Sequence, residues 1–130
     1  HHDWSGYDFA LCGGPQLIHD GRVFVDAQQE GFRDRHMLSR NPRIGIGFTK
    51  GRQLVIAVTR SRVYLSKFAR AMRDLGVWNA INLDGGSSIG LYYKGNLVIK
   101  PGRVMTNVML VYNDRKQFEK VKDRLTPAVH

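Results

Sequence analysis

A strand-like run from Trp78 to Leu83 breaks abruptly at Asp84-Gly-Gly-Ser-Ser88, then resumes as Ile-Gly-Leu-Tyr-Tyr93. Nothing else in the chain constrains the backbone so tightly. Two adjacent glycines, Gly85 and Gly86, permit positive φ and let bare N–H groups approach a ligand closely. Successive N–H groups in such a turn form a concavity for an anion, to which the hydroxyls of Ser87 and Ser88 can add donors. Asp84 would aim a carboxylate at the same concavity, which suits a substrate carrying a phosphate beside the bond to be broken. The loop taken alone fits equally well a glycine-rich hairpin in which Asp84 caps its own turn.

Strand signals dominate the flanking sequence. Phe9 to Cys12 reads as a short strand closing on Gly13-Gly14-Pro15, and Asp20-Gly21 sits at the tip of a hairpin between Leu17-Ile18 and Val23-Phe24-Val25. Residues 26–40 are polar without a clean period and predict a loop with one helical turn. Ile44-Gly-Ile-Gly-Phe48 places glycines on one face, which implies close packing against another element or a ligand. A strand over 54–58 follows, and then Leu65, Phe68, Ala69, Met72 and Leu75 recur at helical spacing, with Gly76 past the end. Residues 78–83, 89–93, 97–99 and 105–112 read as strands, with Lys94-Gly95-Asn96 as a turn, and 113–130 as a charged, weakly helical tail. The predicted class is α+β, a mainly antiparallel sheet with one principal helix packed across it, in a single domain over 1–130.

Charge narrows the set of partners. The formal net charge of +9 favours polyanions such as phosphorylated glycans, envelope polymers, anionic membranes or nucleic acid. The cations are spread along the chain and no aromatic stacking motif accompanies them, so a nucleic-acid partner is not expected. No apolar run approaches the ~20 residues needed to span a bilayer, so no transmembrane segment is expected, and no signal peptide is visible. The lone Cys12 excludes an intrachain disulfide. A nucleophilic Cys12 paired with His19 or His36 is the sharper option for it; a small buried thiol at a strand end is the expectation.

The ordered set CGGP at 12–15, NPRIGIG at 41–47, LDGGSSIG at 83–90 and RVMTNVMLV at 103–111 resembles the phosphodiester glycosidase family. The resemblance implies hydrolysis of a sugar-1-phosphodiester in a glycan or envelope polymer, with a phosphorylated carbohydrate as substrate. It makes Asp84 the catalytic carboxylate, which activates water or stabilises the oxocarbenium-like centre. Arg43 and Arg103 then hold phosphate oxygens, and Gly85, Gly86, Ser87 and Ser88 supply loop donors. No cofactor is implied, no metal ligands are assigned, and an extracytoplasmic or secreted location is suggested. The family's upstream segment is expected to be missing, leaving an open sheet edge near the N-terminus for a second copy or a partner chain. The sequence also departs from the family pattern. Ile44 stands where Thr is usual, Thr59 where the strand ends in Asp, Ser87 for a third Gly, and Ile89 and Gly90 for hydroxyl residues. Those departures favour the alternative of a non-catalytic phosphate- or glycan-binding or assembly module on the same fold.

Overall fold

The computed structural model describes Asp3, Ser5, Gly6 and residues 10–125. The elements run β1 (Gln16–His19), β2 (Arg22–Val23), α1 (Arg35–Leu38), β3 (Ile44–Thr49), β4 (Leu54–Val58), α2 (Leu65–Asp74) and β5 (Val77–Asn82). A short 3-10 turn (Gly86–Ser88), β6 (Leu91–Tyr93), β7 (Asn96–Ile99) and α3 (Arg115–Leu125) complete the order. Five strands form one sheet in the order β2-β1-β5-β3-β4, and β6-β7 make a separate hairpin. Every pairing is antiparallel. The fold is therefore α+β with a mainly antiparallel sheet.

Local chemistry accounts for these elements. Asp20 and Gly21 take φ of 47° and 75°, the two positive values that a two-residue loop between β1 and β2 needs. α2 buries Leu65, Phe68, Ala69 and Met72, spaced by three and four residues along one stripe. That stripe lies against Leu17, Ile18, Val77 and Ala80 of β1 and β5 to make the core. Burying each large side chain contributes about 1.5–3 kcal/mol. Leu75, expected on the same stripe, is instead the C-cap residue and 69% exposed, because the helix ends one residue earlier.

The glycine face of β3 makes this packing possible. A Cβ at Gly45 would lie 3.0 Å from Leu17 Cδ1, Met72 Sδ and Phe68 Cε1, so the helix rests directly on bare backbone. At Gly47 a Cβ would collide with the Asn79 carbonyl and sit 2.6 Å from Val77 Cγ1. In the β3–β5 pairing Gly47 stands opposite Ala80 and Phe48 opposite Asn79, with a register shift at Phe48/Thr49.

Arg43, just before β3, holds the neighbouring segments together. It is 3% exposed. Its Nη2 donates to the carbonyls of His36 and Met37 in α1 at 3.1 and 3.2 Å and to that of Ser39, while Nε donates to the Val63 carbonyl at 3.3 Å. A guanidinium at the carbonyl end of a short helix satisfies groups that the helix itself leaves unpaired. Beside it, Asn41 and Val63 exchange backbone hydrogen bonds of 3.1 and 3.0 Å. Burial lowers the guanidinium pKa, yet an arginine keeps its proton in a protein.

Three expectations are corrected. Residues 10–12 form no strand, Phe9 lies outside the described residues, and Cys12 is exposed rather than buried because the first strand begins at Gln16. Residues 105–112 belong to no strand among the described residues, since a strand forms only where an edge accepts it. The sheet edges are β2, near the N-terminus, and the longer β4 in mid-chain.

Two outcomes follow from this packing. Arg43→Met should lower unfolding free energy by about 3 kcal/mol, the scale of losing hydrogen bonds from a buried charged group. Gly47→Ala should destabilise by a similar ~3 kcal/mol through overpacking against backbone. Urea unfolding midpoints check both, and unchanged midpoints would show that neither contact bears on stability.

Candidate functional site

The site loop is held from both sides. Leu83 donates to the Ile44 carbonyl at 2.9 Å, so the loop leaves the sheet beside the start of β3. A Cβ at Gly85 would stand 3.1 Å from the Pro42 carbonyl, so the loop is pressed against the residue before Arg43. On the far side Gly102 donates to the Ser87 carbonyl at 2.8 Å. Gly90 packs on Pro101, where a Cβ would be 3.3 Å from Pro101 Cδ. These contacts deliver Arg103 to the loop.

Arg103 bridges the Asp84 and Ser88 side chains. Its Nε donates to Ser88 Oγ at 2.7 Å and its Nη2 to Asp84 Oδ2 at 3.2 Å. The Asp84 and Arg103 side chains are 74% and 53% exposed, so the pair is reachable from solvent. An exposed ion pair of this kind contributes only about 0–1 kcal/mol to stability. Its cost in disruption by an incoming anion is therefore small.

The loop backbone adds donors. Gly86 takes φ of 62° as the chain enters the 3-10 turn. Ser88 and Ile89 N–H groups bond back to the carbonyls of Gly85 and Gly86 at 3.2 and 3.4 Å. The N–H groups of Gly85, Gly86 and Ser87 make no hydrogen bond among the described residues. An anion beside Arg103 can draw on those N–H groups and on the Ser87 and Ser88 hydroxyls.

The structure thus brings Asp84, Ser88 and Arg103 into direct contact, with Gly85, Gly86 and Ser87 in the same loop. It does not bring the Arg43 guanidinium to them. That group faces backbone carbonyls, and what Arg43 shares with the site is the backbone that abuts Gly85. Thr59, at the position where the family pattern has an acid, is also structural. Its Oγ1 accepts from the Arg43 N–H at 3.0 Å and donates to the Ser61 carbonyl at 3.0 Å.

Asn82 and Met37 escaped sequence reasoning. Asn82 is 1% exposed, and its Nδ2 donates to the Gly14 and Leu83 carbonyls at 3.1 and 2.9 Å. Its Oδ1 has no partner among the described residues. Met37 Sδ lies 3.9 Å from Asn82 Nδ2 and 4.0 Å from Arg43 Nη1, linking the two buried polar groups beneath the loop. A polar residue inside an apolar strand two positions before Asp84 was the available signal. Among the described residues no group of three or more His, Cys, Asp or Glu could hold a metal ion. No helix there is long and apolar enough to cross a membrane.

A family model described as phosphodiester glycosidase matches residues 1–112. Among solved structures, a hypothetical protein from Synechocystis is similar at a TM-score of 0.61 and 33% identity, covering 68% of this chain and 18% of that one. The zebrafish N-acetylglucosamine-1-phosphodiester α-N-acetylglucosaminidase catalytic domain, auto-inhibited by its pro-peptide, has a similar fold at a TM-score of 0.59. Its identity is 24%, over 70% of this chain and 34% of that one. The chain therefore spans about a fifth to a third of the length of these structures. No curated protein matches. The chain belongs to the phosphodiester glycosidase family.

Proposed function

We propose that the chain carries the phosphate-binding and carboxylate part of a hydrolase that cleaves a sugar-1-phosphodiester. The Arg103 fork spanning Asp84 and Ser88 carries this reading. Arg103 uses Nε and one Nη2 hydrogen on those partners, which leaves Nη donors for phosphate oxygens. Gly85, Gly86, Ser87 and Ser88 would hold the remaining oxygens. Asp84, next to the phosphate, faces the anomeric carbon. It either takes a proton from the attacking water or stabilises positive charge on the ring. The water oxygen bonds to the anomeric carbon and loses a proton, while the bond from that carbon to the phosphate oxygen breaks and the oxygen and its electron pair leave with the phosphate. A phosphate monoester is a weak base, so a second carboxylic acid is less needed than for an alcohol leaving group. In this reading Arg43 does not touch substrate. It positions the start of β3, against which Gly85 rests.

A second reading is a non-catalytic phosphate- or glycan-binding module. The 74% exposure of the Asp84 side chain favours it, because catalytic carboxylates usually work in sites from which water is excluded. Family membership and the intact Asp84-Gly-Gly turn favour the hydrolase.

Asp84→Asn should lower turnover of a synthetic sugar-1-phosphodiester by about 10²–10⁴-fold, the usual contribution of a positioned acid or base, with no change in unfolding midpoint. Turnover equal to wild type would remove Asp84 from the mechanism. Arg103→Ala should mainly raise KM, and its defect should shrink as salt screens the wild-type contact. Absence of any wild-type turnover, with retained affinity for a sugar 1-phosphate, would establish the binding module instead.

A further inference from the structure

β4 is the outer strand of the five-stranded sheet. An outer strand offers a row of unpaired N–H and C=O groups, which proteins usually blunt with lysine, proline, a bulge or extreme shortness. The opposite edge, β2, is two residues long and so is blunted. β4 has none of these guards. Leu54-Val-Ile-Ala-Val58 carries no charge or proline, and it pairs with β3 at five successive positions without a register shift. Its face away from α2 is apolar too. Ile56 and Leu54 stand opposite Ile46 and Phe48, and Leu54, Ile56 and Phe48 are 37%, 37% and 52% exposed.

The same molecule holds a strand-forming segment without an edge. Residues 104–112, Val-Met-Thr-Asn-Val-Met-Leu-Val-Tyr, are uncharged and rich in strand formers. Their backbone pairs with no strand among the described residues. Val104, Val108, Leu110 and Val111 are 89%, 72%, 52% and 55% exposed. β7, which precedes the segment, is tied to the end of the edge, since Arg60, just after β4, donates to the Val98 carbonyl. The segment nevertheless stays unpaired with its own β4. In a chain of net charge +9, the free edge and the free segment are both neutral stretches. The two segments themselves therefore add no like charges to a contact between copies, with Arg52 and Arg60 flanking the edge and Arg103 preceding the segment.

We propose that residues 104–112 of one copy add as a strand to the β4 edge of a second copy, and that the exchange is reciprocal. Main-chain hydrogen bonds supply the affinity, and Val108 and Leu110 extend the apolar face beside Ile56. Because each copy gives a strand and receives one, the contact closes as a two-fold dimer. This proposal does not depend on the hydrolase reading and can fail without it.

Sedimentation velocity of the full chain across a hundredfold concentration range, paired with amide hydrogen exchange, tests the exchange. The expected result is a monomer–dimer equilibrium in which amides of 54–58 and 104–112 gain protection together as concentration rises. Leu110→Lys, at a position exposed in the monomer, and Val108→Pro should each weaken dimerisation at least about tenfold. Ile56→Lys should do the same from the edge side. A synthetic peptide of residues 104–112 should compete with the dimer. A monomer at every concentration would overturn the proposal. So would a dimer indifferent to Leu110→Lys and Val108→Pro, or protection of 104–112 independent of concentration, which would mean pairing within one chain.

Discussion

The buried guanidinium of Arg43 is the contact on which the arrangement of the site depends. One side chain binds the carbonyl end of α1, the residue before Arg40 and the stretch leading into α2 to the first residue of the β3 region. A buried cation is tolerable only when its donors are met, and here carbonyl dipoles meet them rather than a carboxylate. The result is a fixed start for β3. Pro42 and Ile44, on either side of Arg43, are the residues against which the Asp84 loop is set.

A rigid frame beneath an exposed loop divides labour between stability and chemistry. α2 resting on Gly45 fixes the sheet from one face, and Asn82 ties the end of β5 to Gly14. Above that frame, Asp84, Ser88 and Arg103 interact through hydrogen bonds that cost little to rearrange. The proposed anion recognition needs this combination, because donors must be prepositioned yet not fully committed to one another. The Ser87–Gly102 hydrogen bond brings Arg103 back from beyond the β6-β7 hairpin, so the site joins residues far apart in sequence.

Much of this was legible in the sequence. The central strands and α2 announce themselves through period-two and period-3.6 apolar spacing, and the hairpin through Asp20-Gly21. Asp84, Ser88 and Arg103 were singled out together, and they do meet. The direction of the Arg43 side chain was not legible, because a motif fixes a residue's place in the chain and not which carbonyls surround it. Residues 105–112 have the composition of a strand, but whether a strand forms depends on an edge that local sequence does not specify. Asn82 was hidden for a related reason: two of its amide's partners, Gly14 and Met37, lie a long way off in the chain.

The most direct test of this division of labour is an NMR titration that follows the arginine Nε–H signals while a sugar 1-phosphate is added. The Arg103 signal should move with the amides of Gly85, Gly86 and Ser87, and the Arg43 signal should stay fixed. Movement of the Arg43 signal with Arg103 unchanged would contradict both assignments, placing the anion at the buried guanidinium and leaving the Asp84 loop without its proposed role.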